Sequence, residues 1–416
     1  MKDKHNKINR RHFLKTIGAA GVGSVFVSAK TIAGPNDPNA PKEEQKPQFP
    51  QVPRRKLGKT GVEVPCLSLG AMFNIVDKQI LLKNTLKWGA NYWDTAHNYA
   101  GGNSELGIGK YLSKNPEVRK DLFLVTKASR ARTTADVEKR LQTSLERMNT
   151  TYIDLYYGVH DLADPSQLTD ELKQWAESAK KRKLIRFFGF STHKNMAQNL
   201  AAAAKLDWID AIMTSYNFRL MQDAELQAAV GACHKAGIGL IAMKVTGLQS
   251  WYRHKLETEE DKKLVEHFLR RGFTEPQATI KVVLEDERIS SSCVGMQNVA
   301  LLTSNVAAVL DKTKLTQADT KAFRKYAQAT CSGYCAGCAQ ICDSALPDVP
   351  YVSDIMRYLM YYNSYGQQKE ARELFAQIPG NVRNKLLSID YSGAEARCPQ
   401  HMPIGKLVAE AVSKLA

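Results

Sequence analysis

At 416 residues with 44% hydrophobic content, the chain can bury one large core and still carry appendages at its ends. The formal net charge is +16, of which residues 1–15 hold a net +5 from six Lys/Arg against one Asp. The remaining positive charge is spread without a basic block or interleaved aromatic residues, a pattern that argues against a nucleic-acid partner.

The N-terminus reads as an address label. Asn9, Arg10, Arg11, His12, Phe13, Leu14 and Lys15 precede a Gly-rich apolar run, IGAAGVGSVFVSA. At about a dozen residues the run is too short for a bilayer core of ~30 Å, which needs roughly 20. No stable membrane span is therefore expected after processing, and small residues near Ala29 and Ala33 suit cleavage at the end of a segment 1–33. NRRHFLK resembles a twin-arginine export signal, which implies delivery by that machinery and a periplasmic destination. The other reading is a cytosolic basic tail. Residues 34–53, rich in Pro, Asn, Lys and Gln, read as a linker.

From Arg54 the chain acquires a period. RRKLGKTGVEVP predicts a hairpin turning at Lys59 to Gly61, and a first apolar strand follows near Cys66 to Gly70. DKQILLKNTLKWG has helical spacing and closes on Gly89, as a C-terminal cap would. Strand and helix then alternate, beginning with NYWD before SELGIGKYL, LFLVTK before TADVEKRLQTSLERM and YIDLYYGVH before DELKQWAESAKKRK. Continued to ISSSCVGM and NVALLTSNVAAV, the count is eight strand and helix pairs. That number argues for a closed parallel (β/α)8 TIM barrel over residues 54–312 rather than an open doubly wound sheet. No G-x-G-x-x-G follows the first strand, so the dinucleotide fingerprint of the open sheet is missing.

In such a barrel the C-terminal ends of the strands share one mouth. Asp94 ends ANYWD, Lys127 ends LFLVTK 33 residues later, and His160 ends IDLYYGVH another 33 residues on; Tyr99 follows Asp94 by five. Taken singly, Asp94 and Lys127 would read as a rim ion pair, His160 as a satisfied rim histidine and Tyr99 as a loop anchor. Taken together they form a proton-transfer group. A free tyrosine has a pKa of about 10, and a lysine ammonium beside it would favour the phenolate, with aspartate holding that lysine charged. Tyr99 would then act as general acid or base, and His160 would position a carbonyl oxygen.

DTAHNY, the lysine of LVTK and the histidine of YYGVH resemble the aldo-keto reductase family over roughly residues 54–310, and GGNSELGIGKYL resembles the loop and helix after that family's tyrosine. The resemblance implies an NADP or NAD cofactor across the strand ends, and hydride transfer between it and a small carbonyl or alcohol substrate. Ser191 matches the serine expected at the nicotinamide carboxamide. Thr192 stands where an asparagine is usual, Met213 where a glutamine is usual, and Met243 and Lys244 where an aromatic residue usually lies under the ring. Asn305 fits the outline beyond the eighth strand, whereas Gly295 and Leu301 replace a lysine and an arginine that often meet a 2′-phosphate. Residues 247–272 insert between strand seven and its helix. They read as a solvated helical lid, or as a pocket wall through Trp251 and Tyr252.

Residues 313–416 form a helical, cysteine-rich extension. Cys331, Cys335, Cys338 and Cys342 occur as C-x3-C-x2-C-x3-C, with Cys398 following in a Cys-Pro pair. A [4Fe-4S] cluster, zinc and disulfides all compete for these thiols. The Cys-Pro resembles the closing cysteine of ferredoxin motifs, and a ferredoxin-like extension of some aldo-keto reductases implies one cluster with a redox partner. The crossed pattern would use Cys331, Cys335, Cys338 and Cys398, and the local one would use Cys342 as fourth ligand. Tyr391 and Ala394 stand where further thiols of a second cluster would lie. Helical spacing over YVSDIMRYLMYYNSYG and QKEARELFAQIPG predicts packing of the extension onto the barrel. Two other functions fit parts of the pattern. Radical S-adenosylmethionine chemistry shares C-x3-C-x2-C but would leave the tetrad unexplained. A non-enzymatic exported iron-sulfur electron-transfer or scaffold protein on a degenerate barrel would account for the altered nicotinamide contacts.

Overall fold

Two short antiparallel strands, β1 (Arg54–Lys56) and β2 (Glu63–Pro65), come first in the computed structural model, which describes residues 49–247 and 258–416. The segments read as export signal and most of the linker lie outside the described residues. Gly58 and Gly61 turn the hairpin at positive φ. A Cβ on Gly58 would fall 2.2 Å from the Gly237 carbonyl oxygen, so only glycine lets the turn close there. The hairpin thereby buries Leu57 and Val64 among the residues that fill the barrel.

Eight parallel strands follow: β3 (Leu67–Gly70), β4 (Tyr92–Asp94), β5 (Phe123–Lys127), β6 (Ile153–His160), β7 (Ile185–Thr192), β8 (Ala211–Ser215), β9 (Gly239–Met243) and β10 (Ser291–Gly295). They pair in chain order, and β10 closes on β3 with Ser292 opposite Leu67, giving the expected barrel with its ring of helices. Side chains two apart along a strand share a face. Tyr92, Phe123, Val125, Leu155, Tyr157, Ala211, Met213, Ile241 and Met243 form the inward core by that rule. Local signals set the helices that cover it. A Thr133–Asp136 capping box starts the helix Thr134–Arg147, and Thr274 with Gln277 starts Glu275–Leu284 in the same way.

The insertion after β9 differs from a solvated lid. Its helix Glu259–Arg270 buries Leu264 and Phe268, and Phe268 packs against Phe323 of the extension helix Gln317–Ala329 with ring centroids 4.6 Å apart. Its apolar stripe has a partner that sequence periodicity does not name. Trp251 and Tyr252 lie outside the described residues.

The extension continues as a series of helices, of which Val352–Ser364 is the most enclosed, with Ile355, Met356, Leu359 and Met360 all buried. Each such side chain contributes about 1.5–3 kcal/mol relative to exposure, so this helix is held firmly. No helix among the described residues is long and apolar enough to cross a membrane.

Candidate active site

The tetrad follows from strand geometry. Asp94 lies two residues beyond Tyr92, and Lys127 two beyond Val125, so each extends an inward row toward the mouth. Strand β6 breaks the rule: its pairing with β7 shifts between Tyr157 and Val159, which puts His160, rather than Val159, in the inward row above Tyr157. Gly158 permits the irregularity, because a Cβ there would lie 2.3 Å from the Phe188 ring. Tyr99 comes from the loop after β4, at the start of a short 3-10 turn.

Lys127 and Asp94 are almost fully buried, and Lys127 Nζ donates to Asp94 Oδ1 at 2.5 Å and to the Thr95 carbonyl oxygen at 2.7 Å. The same ammonium lies 5.0 Å from the centroid of the Tyr99 ring. The Tyr99 ring meets His160 edge-on, centroids 5.9 Å apart. His160 Nδ1 is 2.8 Å from Ser129 Oγ, which fixes the ring and leaves Nε2 open. Burial, and then the nearby Lys127 charge, hold His160 well below the usual histidine range, so it is a neutral hydrogen-bonding group.

Tyr99 departs from the expectation of a lowered pKa. Burial, followed by the Asp94 charge, pushes its phenol well above the ordinary value. The lysine does not reverse this, because its charge is engaged by Asp94 and the Thr95 carbonyl. Tyr99 is therefore a protonated donor in the resting site.

Asp94, Tyr99 and His160 line a cavity of about 890 Å³ at the strand ends, and the extension forms part of its wall. Helix Val352–Ser364 brings Arg357, Tyr358 and Tyr361 to it, followed by Tyr365. Arg357 pairs with Asp161, the residue after His160, and donates to Asp354 at 2.8 Å; Asp354 in turn accepts from Lys194 at 2.6 Å. His193 Nδ1 lies 2.9 Å from Asp161 Oδ1. Burial alone would raise the Asp161 carboxyl, but Arg357, His193 and Lys194 together hold it well below the carboxylate range. Farther along, Glu370 accepts from Asn98 at 3.0 Å, beside Tyr99. Sequence reasoning missed this contribution to the site. Its signal was Asp354 and Arg357, charges three apart on an otherwise apolar helix, which demand buried partners.

The sequence matches the aldo/keto reductase family over residues 68–328, more than half of the chain. The chain belongs to that family. It is 26% identical over 282 residues to L-galactose dehydrogenase of Arabidopsis thaliana, a match covering 62% of this chain and 88% of that protein. The thermostable aldo-keto reductase Tm1743, solved with the inhibitor epalrestat, is similar at 26% identity and a TM-score of 0.54, covering 66% of this chain and 99% of the other. Aldo-keto reductase AKR11C1 from Bacillus halodurans shares the fold at 22% identity and a TM-score of 0.54, covering 66% of this chain and 96% of the other. As an aldo-keto reductase, the protein is an NAD(P)-dependent oxidoreductase.

Of the positions that the family pattern suggested for the cofactor, Met213, Met243, Lys244, Gly295 and Asn305 line the same cavity as Tyr99 and His160, as does Leu301. Ser191 and Thr192 do not. Ser191 Oγ accepts from the Asp161 amide at 3.2 Å, and Thr192 Oγ1 donates to the Leu162 carbonyl at 2.9 Å, so both oxygens are engaged within the wall. Met213 and Met243 also belong to the barrel core, so one pair of side chains serves packing and floor.

The cysteines of this aldo-keto reductase divide differently from both sequence patterns. Cys335, Cys338, Cys342 and Cys398 line one small cavity, walled otherwise by apolar residues such as Val352, Met356, Met402 and Ile404. Cys331, which belongs to both expected ligand sets, is not among its lining residues. All eight cysteines are free thiols, so no disulfide ties the extension. Among the described residues no group of three or more His, Cys, Asp or Glu closes round a single metal ion.

Proposed function

We propose that this aldo-keto reductase interconverts a small carbonyl compound and its alcohol at Tyr99. The observation that carries the reading is a donor pair above a buried charge pair. The Tyr99 hydroxyl, which has no protein hydrogen-bond partner among the described residues, and His160 face one cavity over Lys127 and Asp94. The substrate carbonyl oxygen would accept from Tyr99 Oη and from His160 Nε2, in the tautomer in which Nδ1 accepts from Ser129 Oγ. As charge develops on that oxygen, the Tyr99 proton passes to it. Lys127 then stabilises the phenolate left behind, offsetting the burial that opposes it. In the alcohol-oxidising direction the phenolate removes the hydroxyl proton. The name of the Arabidopsis relative, a dehydrogenase, fits that direction.

A nicotinamide cofactor, NADP or NAD, would supply or accept the hydride. The cavity suits one, since it runs from Tyr99 past Met213 and Met243 to Gly295 and Asn305. Equilibrium binding of NADPH and NADH to anaerobically purified protein tests this reading. Binding of either supports it, and binding of neither, after removal of retained nucleotide, overturns it.

The extension would carry one iron-sulfur cluster of the [4Fe-4S] type, held by Cys335, Cys338, Cys342 and Cys398. Four free thiols meeting in an apolar cavity support this, as does their spacing. In a [4Fe-4S] cluster each thiolate binds a different iron of the cube, so the four sulfurs stand farther apart than four sulfurs round one zinc ion, each at ~2.3 Å from the metal. Iron and acid-labile sulfide in protein kept from air, lost in Cys398→Ala and kept in Cys331→Ala, is the expected result. Zinc without iron would overturn it. Export by the twin-arginine route to the periplasm completes the reading, with cofactor and cluster loaded before transport. Fractionation of cells carrying Arg10→Lys/Arg11→Lys, with retention in the cytoplasm, is the test.

A further inference from the structure

Lys244 is the exception in the charge pattern of the mouth. The other charged groups of the wall near it have partners: Asp161 and Asp354 meet Arg357, Lys194 meets Asp354, and Lys127 meets Asp94. Lys244 has no carboxylate partner among the described residues. Its ammonium lies over two rings of the extension, 4.6 Å from the Tyr361 centroid and 4.8 Å from that of Tyr365. A desolvated cation over aromatic faces gains part of what a counter-ion would give. The backbone delivers it there at some strain. Lys244 has φ +56, in the left-handed region that a side chain rarely adopts, and Asn217 Nδ2 fixes the turn by donating to its carbonyl oxygen at 3.0 Å.

A second donor stands in the same wall. Arg357, itself buried, satisfies two carboxylates through Nη1 and Nη2 but leaves Nε without a partner. Buried donors of a cationic group are costly to leave unmade. Burial, with the Arg357 charge adding to it, pushes Lys244 down to about 7, the response of an ammonium taken out of water without a paired carboxylate. Neither Arg357 nor the tyrosine pair belongs to the barrel, so this arrangement exists only because the extension crosses the mouth.

The geometry points to an anion subsite at Lys244 and Arg357 that takes the carboxylate of an acidic carbonyl substrate, or of the matching hydroxy acid, while Tyr99 and His160 hold the reacting oxygen. The inference rests on the reading of the Tyr99 site as a carbonyl site. It adds a substrate class: compounds that carry a carboxylate as well as the carbonyl. The shared chemistry of a cofactor pyrophosphate is the competing source of negative charge, and the experiment separates the two.

The test is calorimetric binding of benzoylformate and of its methyl ester to the full-length protein, with and without saturating NADP, in the wild type, Lys244→Met, Lys244→Gln and Lys244→Arg. The expected result is a preference for the acid over the ester of about tenfold or more, the scale of a charge-assisted hydrogen bond. That preference should vanish in Lys244→Met and Lys244→Gln and persist in Lys244→Arg, both with and without NADP. Equal binding of acid and ester by the wild type, failure of both to bind, or a preference that survives both neutral variants overturns the subsite. Loss of NADP affinity together with an equal loss for both probes overturns it in favour of the cofactor pyrophosphate. Failure of the reductase reading looks different: neither NADPH nor NADH binds, while a Lys244-dependent preference for benzoylformate still decides the subsite.

Discussion

Replacing Asp94 or Lys127 singly should cost far more stability than replacing both. The two side chains are 3% and 1% exposed, and their charged atoms are 2.5 Å apart. Asp94→Asn removes the counter-charge of the Lys127 ammonium, which keeps only neutral acceptors such as the Thr95 carbonyl, and Lys127→Met strands a buried carboxylate whose Oδ2 already lacks a partner. Stranding one member of a buried pair costs about 3–5 kcal/mol, whereas exchanging the whole pair for neutral groups of similar size is often near neutral. Urea unfolding of the two single variants and the double variant should therefore give losses of about 3–5 kcal/mol for each single change and a double variant that loses less than either, so that the coupling approaches the sum of the two single losses. Catalysis should not recover with stability, since Lys127 is also the cation that stabilises the Tyr99 phenolate. Single losses below about 1 kcal/mol, or additive effects, would refute the placement of a buried charge pair under Tyr99.

Gly58→Ala should lower stability by more than ~1 kcal/mol, because it meets both a positive φ and the Gly237 carbonyl; refolding and denaturant midpoints measure it. Arg357→Met leaves Asp161 and Asp354 facing each other across the mouth, and should loosen the extension enough for limited proteolysis near residue 313 to release it, while the wild type resists. The pH dependence of Lys244 has a definite sign. Its folded value of about 7 lies below an unfolded value of about 10.4, so between these the unfolded chain binds more protons and stability rises with pH. Lys244→Met should remove that rise, and thermal melts at pH 6 to 9 would show a flatter profile than the wild type.

The barrel was legible because a two-residue inward pattern and a helical pattern alternate eight times, and the tetrad because Asp94, Lys127 and His160 each end a strand and Tyr99 follows the first of them by five residues. Even the 33-residue interval to His160 has a local cause in the irregularity at Gly158, which sequence periodicity does not reveal. The extension was harder. Its helices could be read, but which face of Val352–Ser364 meets the mouth depends on ion pairs such as Lys194 with Asp354, separated by 160 residues. For the same reason spacing alone does not show that Cys335, Cys338, Cys342 and Cys398 line one cavity, which is made by chain folding between residues 342 and 398. Thr192 looked like a cofactor contact by its position in GFST, yet its hydroxyl is committed to the Leu162 carbonyl.

Tyr99→Phe tests the central claim most directly, by paired measurement of nicotinamide binding and of turnover with 4-nitrobenzaldehyde. The substitution removes one oxygen that makes no protein hydrogen bond among the described residues, so fold and cofactor affinity should match the wild type. Turnover should fall by about 10²–10⁴-fold, the usual worth of a positioned general acid. A variant that binds cofactor and reduces the aldehyde at the wild-type rate would contradict the assignment of Tyr99 as the proton donor.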